Sequence, residues 1–139
     1  ALRTQKDITA LIKGLKDNTI DAISSDHTPQ DIENKKVEFD NAEFGMISLQ
    51  TAFSLACKLE NEIGLEGIIE KMAVNPRKLL GINIPEINTD KAANLCLFNP
   101  ITEWTLEEKN IVSKSKNTPF IGKKLKGKII AVINNGKLY

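Results

Sequence analysis

The sequence predicts an α/β protein whose first two-thirds is rich in helix and whose last third is β-structure. Apolar residues recur at helical spacing between Ile8 and Leu15, and again between Met46 and Leu59. β-Branched residues dominate the stretch from Lys128 to Ile133, and Asn134-Asn135-Gly136 directly after it is a strong hairpin signal. With 41% hydrophobic and 27% charged residues, the composition is that of a folded domain.

The N-terminal part predicts a helix, a tight turn and a strand. Thr4 and Asp7 have the spacing of a capping box, so the first helix begins between them. Asp17-Asn18 is expected to end this helix. The apolar run from Ile20 to Ser24 is then expected to form a short buried strand.

A long polar stretch from Thr28 to Gly45 separates this strand from the next helix. Phe39 and Phe44 are the residues expected to anchor it. A connection of this length in a small domain favours a loop that lies over a site. The helix predicted from Met46 to Leu59 follows, and a second is predicted from Glu66 to Ala73.

Two Asn-Pro pairs mark the rest of the chain. Asn75-Pro76 is expected to start a short helix that Gly81 ends, because proline suits the first helical turn and glycine the C-terminal cap. The run from Asn94 to Phe98 predicts a strand that Asn99-Pro100 interrupts. After the Asn-Gly turn, Lys137 begins a return strand.

Charge and cysteine content narrow the function classes. Nineteen basic and eighteen acidic residues leave a net charge of +1, so nothing points to nucleic acid or to an anionic membrane. Cys57 and Cys96 lie in apolar segments, where two buried free thiols are expected more than a lone disulfide. Free thiols fit a reducing cytoplasm, which is the expected location.

Asp26 is the main candidate for chemistry. It follows the apolar run from Ile20 to Ser24, and His27, the single histidine of the chain, comes next. Side chains at the C-terminal end of a strand carry the chemistry of many α/β proteins, so Asp26 stands where a metal ligand or a general base is expected. The alternative is a strand that ends in Asp and His because both suit turns.

Four segments together resemble the dihydroorotases, within the cyclic amidohydrolases. Ser25-Asp26-His27-Thr28-Pro29 is similar to the Asp-His-x-Pro-His signature of that family, and Asn75-Pro76 opens a run similar to its Asn-Pro-Ala-x-x-x-Gly helix. The stretch from Leu2 to Ile23 resembles the approach to the eighth barrel strand. The run from Ser113 to Phe120 favours dihydroorotase over allantoinase or dihydropyrimidinase.

The resemblance implies a fold and a chemistry. Residues 1–88 are expected to form the last βα unit and following helices of a TIM-type (β/α)8 barrel, and residues 89–139 the C-terminal strands of a β-sandwich. The family uses two zinc ions to hydrolyse dihydroorotate reversibly to N-carbamoyl-L-aspartate in pyrimidine biosynthesis. By position, Asp26 is expected to bind one zinc and to move the proton. The residues expected to line the substrate are His27, Gln30, Phe44 and Gly45.

Gln30 departs from the family pattern and keeps other interpretations open. The family has a histidine there that helps to hold the substrate carboxylate, whereas glutamine can donate a hydrogen bond but never carries a positive charge. The alternatives are an inactive subunit that serves as a scaffold for aspartate transcarbamoylase, or another cyclic amidohydrolase of the hydantoinase or allantoinase type. Association of identical chains into a homo-oligomer is a further expectation.

The two parts of the chain each resemble the end of something larger, so the sequence is expected to be a fragment. With Asp26 and His27 as its only family metal-site candidates, we expect this polypeptide alone to hold no tight zinc site and to have no activity. An ordinary zinc site takes three or four protein ligands.

Overall fold

The computed structural model describes residues 3–139, whose contacts divide them into two units. The first unit contains residues 3–24, 56–95 and 132–139, and the second contains residues 25–55 and 96–131. Each unit is therefore assembled from separate stretches of the chain. The sequence predicts a different boundary, between a barrel part that ends at residue 88 and a β-sandwich part that begins at residue 89. This boundary stays a prediction.

The first helix has the capping box that the sequence predicts. Helix α1 spans Gln5–Lys16, with Thr4 as its N-terminal cap. The Thr4 hydroxyl accepts the amide hydrogen of Asp7 at 3.3 Å, and the Asp7 carboxylate accepts that of Thr4 at 3.0 Å. The Thr4 hydroxyl also donates to the Asp7 carboxylate at 2.8 Å. This bond and the one from the Thr4 amide lower the pKa of Asp7. Leu2, where the family resemblance begins, lies outside the described residues.

The strand expected from Ile20 to Ser24 is not formed. No strand among residues 3–139 lies beside this segment, and a strand needs such a neighbour for its hydrogen bonds. Instead, Lys71 bonds this segment at Ile20 and Ile23, and it bonds the preceding turn at Asn18. The Lys71 carbonyl accepts the amide hydrogen of Ile23 at 2.9 Å, and its ammonium donates to the Ile20 carbonyl at 2.5 Å and to the Asn18 side chain at 2.9 Å.

The polar stretch after Asp26 contains two short helical segments. They are α2, which spans Ile32–Lys35, and a 3₁₀ turn at Phe39–Asn41. The expectation that Phe39 and Phe44 anchor this stretch is wrong, because their side chains are 94% and 92% exposed. Both residues are therefore in contact mainly with solvent.

Helical structure then continues almost without a break. Its segments are α3 at Leu49–Ala56, a 3₁₀ turn at Cys57–Leu59, α4 at Glu60–Ile69, a π-helical turn at Glu70–Val74 and α5 at Asn75–Leu79. Gly64 has a φ of 72°, which kinks α4. None of the helices in residues 3–139 is long and apolar enough to cross a membrane.

Helix α3 begins three residues later than the apolar pattern predicts. The preceding peptide groups are used in cross-links, since the Met46 carbonyl accepts from Thr28 and the Ile47 amide donates to the Asn117 carbonyl. The predicted end of α5 is confirmed. Gly81 has a φ of 65° there, and the amide hydrogens of Gly81 and Ile82 bond back to the last turn of the helix.

The C-terminal strands form a sheet with the order β1-β2-β3. They span Leu95–Thr105, Lys124–Asn134 and Lys137–Leu138. The predicted hairpin is confirmed, because β2 and β3 pair antiparallel through a two-residue loop of Asn135 and Gly136. Both loop residues have positive φ values, 49° and 76°, as a type I′ turn requires.

Two expectations about the first strand are wrong. Asn99-Pro100 does not interrupt β1, because β1 lies at one end of the sheet order, where proline is tolerated. The Asn99 side chain accepts the amide hydrogens of Ile101 and Thr102 and so replaces strand bonds locally. Cys57 and Cys96 are both free thiols, but Cys96 is exposed on this strand rather than buried.

The second unit has a compact apolar cluster that supports the start of α3. Its buried members are Ile47, Leu106, Ile111 and Leu125, and Trp104 is among the residues that pack against them. Ile47 stands two residues before α3 begins. Burial of this side chain therefore fixes the segment from which the candidate site is built.

We expect Lys71→Met to lower the free energy of unfolding by about 2 kcal/mol, because the Ile20 carbonyl and the Asn18 side chain lose a charged donor. The Lys71 side chain is only 2% exposed, so water does not easily replace it. Chemical denaturation measures the change. Lys78→Met, at an exposed position of α5, is the control and is expected to stay within about 0.5 kcal/mol. Equal stability of the two variants would contradict this role.

Candidate functional site

Asp26 occupies a turn with an unusual backbone conformation. Its φ is 48°, in the left-handed region that aspartate tolerates better than most residues. Its carbonyl oxygen accepts a hydrogen bond from the Thr28 hydroxyl at 3.2 Å. The residue as a whole is exposed. The turn thus presents a carboxylate on a locally bonded backbone.

The segment before α3 holds this turn on both sides of Asp26. The buried Ser48 hydroxyl donates to the Ser25 carbonyl at 2.6 Å, on the N-terminal side. On the C-terminal side, the Thr28 amide donates to the Met46 carbonyl at 3.0 Å. Because both flanks bond to the same short segment, Asp26 has little freedom to move relative to α3.

His27 caps the N-terminus of α3. Its Nδ1 atom accepts the amide hydrogens of Ser48 at 3.0 Å and of Leu49 at 3.3 Å. The first amide groups of a helix have no partner inside the helix, so an acceptor there is stabilising. A neutral imidazole that accepts at Nδ1 carries its proton on Nε2. His27 therefore offers no lone pair at Nδ1 for a metal and can donate a hydrogen bond through Nε2.

Gln30 is in contact with the Phe44-Gly45 pair. Its side-chain amide donates to the Phe44 carbonyl at 3.1 Å. Gly45 has a φ of 122°, and a side-chain carbon added to it would lie 2.5 Å from the Thr28 carbonyl oxygen. Only glycine fits that position. The structure thus brings together His27, Gln30, Phe44 and Gly45 in the same unit as Asp26.

Sequence reasoning missed three residues that organise this region. They are Lys35, Ser48 and Asn117. Ser48 had a usable signal, because serine directly before an apolar helical run is a typical N-terminal cap. No pattern in the sequence pointed to these bonds of Lys35 and Asn117, since both side chains bond backbone carbonyls, which every residue offers. The Gly45 carbonyl accepts from Asn117 at 3.0 Å and from Lys35 at 3.3 Å.

Asp26 is the candidate metal ligand that the sequence predicts among the described residues. Among residues 3–139, no three His, Cys, Asp or Glu side chains come close enough together to hold a metal ion. The exposed carboxylate of Asp26 is chemically suited to be one zinc ligand. Further ligands would have to come from outside these residues.

A small cavity lies beside His27. Its volume is about 20 Å³, and its lining includes Ser48, Thr51, Ser113 and Thr118. This is room for a single water molecule among polar groups. The cavity is too small for a ring-shaped molecule.

The chain belongs to the amidohydrolase family, whose pattern matches residues 1–139. It is 40% identical over 139 residues to a dihydroorotase of Geotalea daltonii, and 42% identical over 140 aligned residues to a dihydroorotase of Caldicellulosiruptor saccharolyticus. Each alignment covers 99% of this chain and 33% of the relative. The chain therefore spans about a third of the length of these curated relatives.

Solved structures of related enzymes share the fold. A dihydropyrimidinase from Brevibacillus agri superposes with a TM-score of 0.85 at 20% sequence identity. A D-hydantoinase from Thermus sp. gives a TM-score of 0.81 at 22% identity. Both comparisons cover 99% of this chain and 32% of the other. The chain thus has the α/β fold of the corresponding third of these proteins.

Two substitutions of His27 separate its two nitrogen atoms. Asparagine places an acceptor near the position of Nδ1, so His27→Asn is expected to keep the cap and nearly all of the stability. Glutamine reaches instead toward the position of Nε2, and His27→Gln is expected to lose about 1 kcal/mol of unfolding free energy. Thermal and chemical denaturation measure the difference. A His27→Asn variant that is the less stable of the two would contradict the capping role.

Proposed function

We propose that this chain supplies the C-terminal part of a zinc-dependent dihydroorotase, which reversibly hydrolyses dihydroorotate to N-carbamoyl-L-aspartate in pyrimidine biosynthesis. The observation that carries the proposal is the exposed carboxylate of Asp26, on a turn bonded at both flanks. The relatives at about 40% identity that are named dihydroorotase support it. The cytoplasm is the proposed location.

Asp26 has the properties that acid–base chemistry requires. A carboxylate can accept a proton from water and return it to the leaving nitrogen of an opening ring. Its turn is bonded to Ser48 and Met46, so the carboxylate needs little rearrangement during the reaction. Zinc, when bound, would polarise the ring carbonyl and make water more acidic. We propose Asp26 as one of its ligands.

The residues around Asp26 are proposed to bind the substrate. His27 can donate through Nε2, because its Nδ1 is occupied by α3. The Phe44-Gly45 pair is proposed to contribute backbone groups, and Gln30 keeps it in position through the Phe44 carbonyl. Dihydroorotate carries a carboxylate and ring carbonyls, which are all hydrogen-bond acceptors. The residues around Asp26 must therefore provide hydrogen-bond donors.

The same geometry is compatible with the two-part architecture expected from the sequence. We propose that residues 1–88 belong to the barrel and residues 89–139 to the β-sandwich. In such barrels the chemistry lies at the C-terminal ends of the strands, and several strands contribute to it.

One observation favours the inactive scaffold as the second candidate. Gln30 cannot become charged, and its amide is already bonded to the Phe44 carbonyl. Binding of an anion should therefore be weaker than with the family's histidine. In this alternative the full-length protein would bind aspartate transcarbamoylase without turnover. An assay of ring hydrolysis by the full-length protein distinguishes the two candidates.

In the full-length protein, Asp26→Asn is expected to reduce the rate of ring hydrolysis by about 10²–10⁴-fold, because asparagine cannot accept the proton. The KM should change much less, and thermal stability should stay similar. Asp31→Asn is the matched control, since Asp31 is also exposed and its side chain makes no capping bond to α2. An Asp26→Asn enzyme with near-normal turnover would show that Asp26 is only a turn residue.

Gln30→His is expected to lower the KM for dihydroorotate by about severalfold to tenfold, because a charged donor bonds a carboxylate more strongly than a neutral one. Histidine titrates near neutrality, so the gain should be larger at about pH 6 than at about pH 8. Steady-state kinetics at both pH values measure it. Loss of activity on this substitution would mean that the bond from Gln30 to Phe44 has a role that histidine cannot fill.

A further inference from the structure

In the loop of residues 43–46, every backbone carbonyl accepts a hydrogen bond, whereas three consecutive backbone amides donate none within the described residues. The carbonyls of its four residues accept hydrogen bonds from side chains or backbone elsewhere in the second unit. The amide hydrogens of Phe44, Gly45 and Met46 have no acceptor among the described residues. The loop is thus held from its carbonyl side, and its donors are left for another molecule.

Lys35 makes two of the contacts that hold this loop. Its ammonium donates to the Glu43 carbonyl at 2.5 Å and to the Gly45 carbonyl at 3.3 Å. The two bonds bridge Phe44, whose own carbonyl is bonded to Gln30. Lys35 is half-buried at the end of α2. Water therefore competes less for these carbonyls than it would at a fully exposed position, and the hydrogen bonds are stronger.

Asn117 holds the same loop from the other end of the chain. Its side-chain amide donates to the Gly45 carbonyl at 3.0 Å, and its own carbonyl accepts from the Ile47 amide at 3.0 Å. It belongs to the run from Ser113 to Phe120 whose sequence resembles dihydroorotases. A segment that is distant from Asp26 in the sequence therefore bonds the loop proposed to bind the substrate.

We propose that Lys35 and Asn117 are positioning residues that keep the amide groups of the 43–46 loop directed at the substrate. The inference rests on the proposed function, and it goes beyond it by assigning two residues that do not touch the substrate. A loop that is ordered before binding loses less entropy when the ligand arrives. The two residues should therefore affect the KM far more than kcat.

The experiment uses the full-length protein and three substitutions. Lys35→Met removes both bonds of the ammonium. Asn117→Leu removes the bond to the Gly45 carbonyl and the bond that its side chain accepts from the Ser115 hydroxyl, without a change of charge. Lys36→Met is the matched control, because Lys36 is the next residue, is exposed and makes no side-chain bond to the loop. Steady-state kinetics with dihydroorotate and thermal unfolding are measured for each variant.

Limited digestion with chymotrypsin gives a second measurement that does not depend on activity. Phe44 is 92% exposed, so the peptide bond after it is cut once the loop can adapt to the protease. Mass spectrometry follows the rate of this cut. Lys35→Met and Asn117→Leu are expected to raise it severalfold and to raise the KM about tenfold, with kcat within about twofold of the parent. Lys36→Met should match the parent in both measurements.

The possible outcomes separate the inference from the function beneath it. Unchanged digestion of Lys35→Met and Asn117→Leu overturns the positioning role, whatever the kinetics. Faster digestion with an unchanged KM also overturns it, because the ordered loop would then not serve the substrate. A higher KM in Lys35→Met alone would mean that its charge attracts the substrate directly. A parent protein that neither binds nor hydrolyses dihydroorotate overturns the proposed function, and digestion still decides whether the two residues order the loop.

Discussion

The hydrogen bonds of Ser48 are the constraint on which the candidate site depends. Its hydroxyl bonds the Ser25 carbonyl, its amide bonds His27, and its carbonyl accepts from the Thr51 hydroxyl in the first turn of α3. The residue is buried, so water competes little for these bonds. A single residue thus connects the turn of Asp26 to the beginning of a helix.

The candidate chemistry lies on irregular backbone that regular elements support. Asp26 and Gly45 both have positive φ values, and neither lies in a helix or a strand. For Asp26, which is not a glycine, this conformation costs free energy and persists only where the surroundings fix it. Here the start of α3 and the apolar cluster around Ile47 provide that support. The exposed turn that carries the proposed acid–base residue therefore rests on a buried base.

The proposed barrel accounts for the small number of candidate groups near Asp26 within residues 3–139. Asp26 offers one carboxylate, and no ligand cluster forms around it within residues 3–139. Barrel enzymes collect their catalytic groups from the ends of several strands. A chain that spans a third of its relatives is thus expected to contribute a few groups to a shared site. The contribution proposed here is one acid–base residue and one substrate loop.

The sequence by itself determined the features that depend on near neighbours. The capping box of Thr4 and Asp7, the glycine end of α5 at Gly81 and the turn of Asn135 and Gly136 are all present as predicted. Each rests on the conformational preferences of a few adjacent residues. The family and its signature around Asp26 were also readable, because they are patterns along the chain.

Tertiary structure alone decided what depends on distant partners. The segment from Ile20 to Ser24 has the composition of a strand, but it bonds to Lys71, because a strand also needs a neighbour that composition cannot supply. His27 became a helix cap for the same reason, and Lys35 and Asn117 met at Gly45 from positions 82 residues apart, the difference between 117 and 35. Local preference cannot predict such contacts, because their free energy arises only when folding brings the partners together.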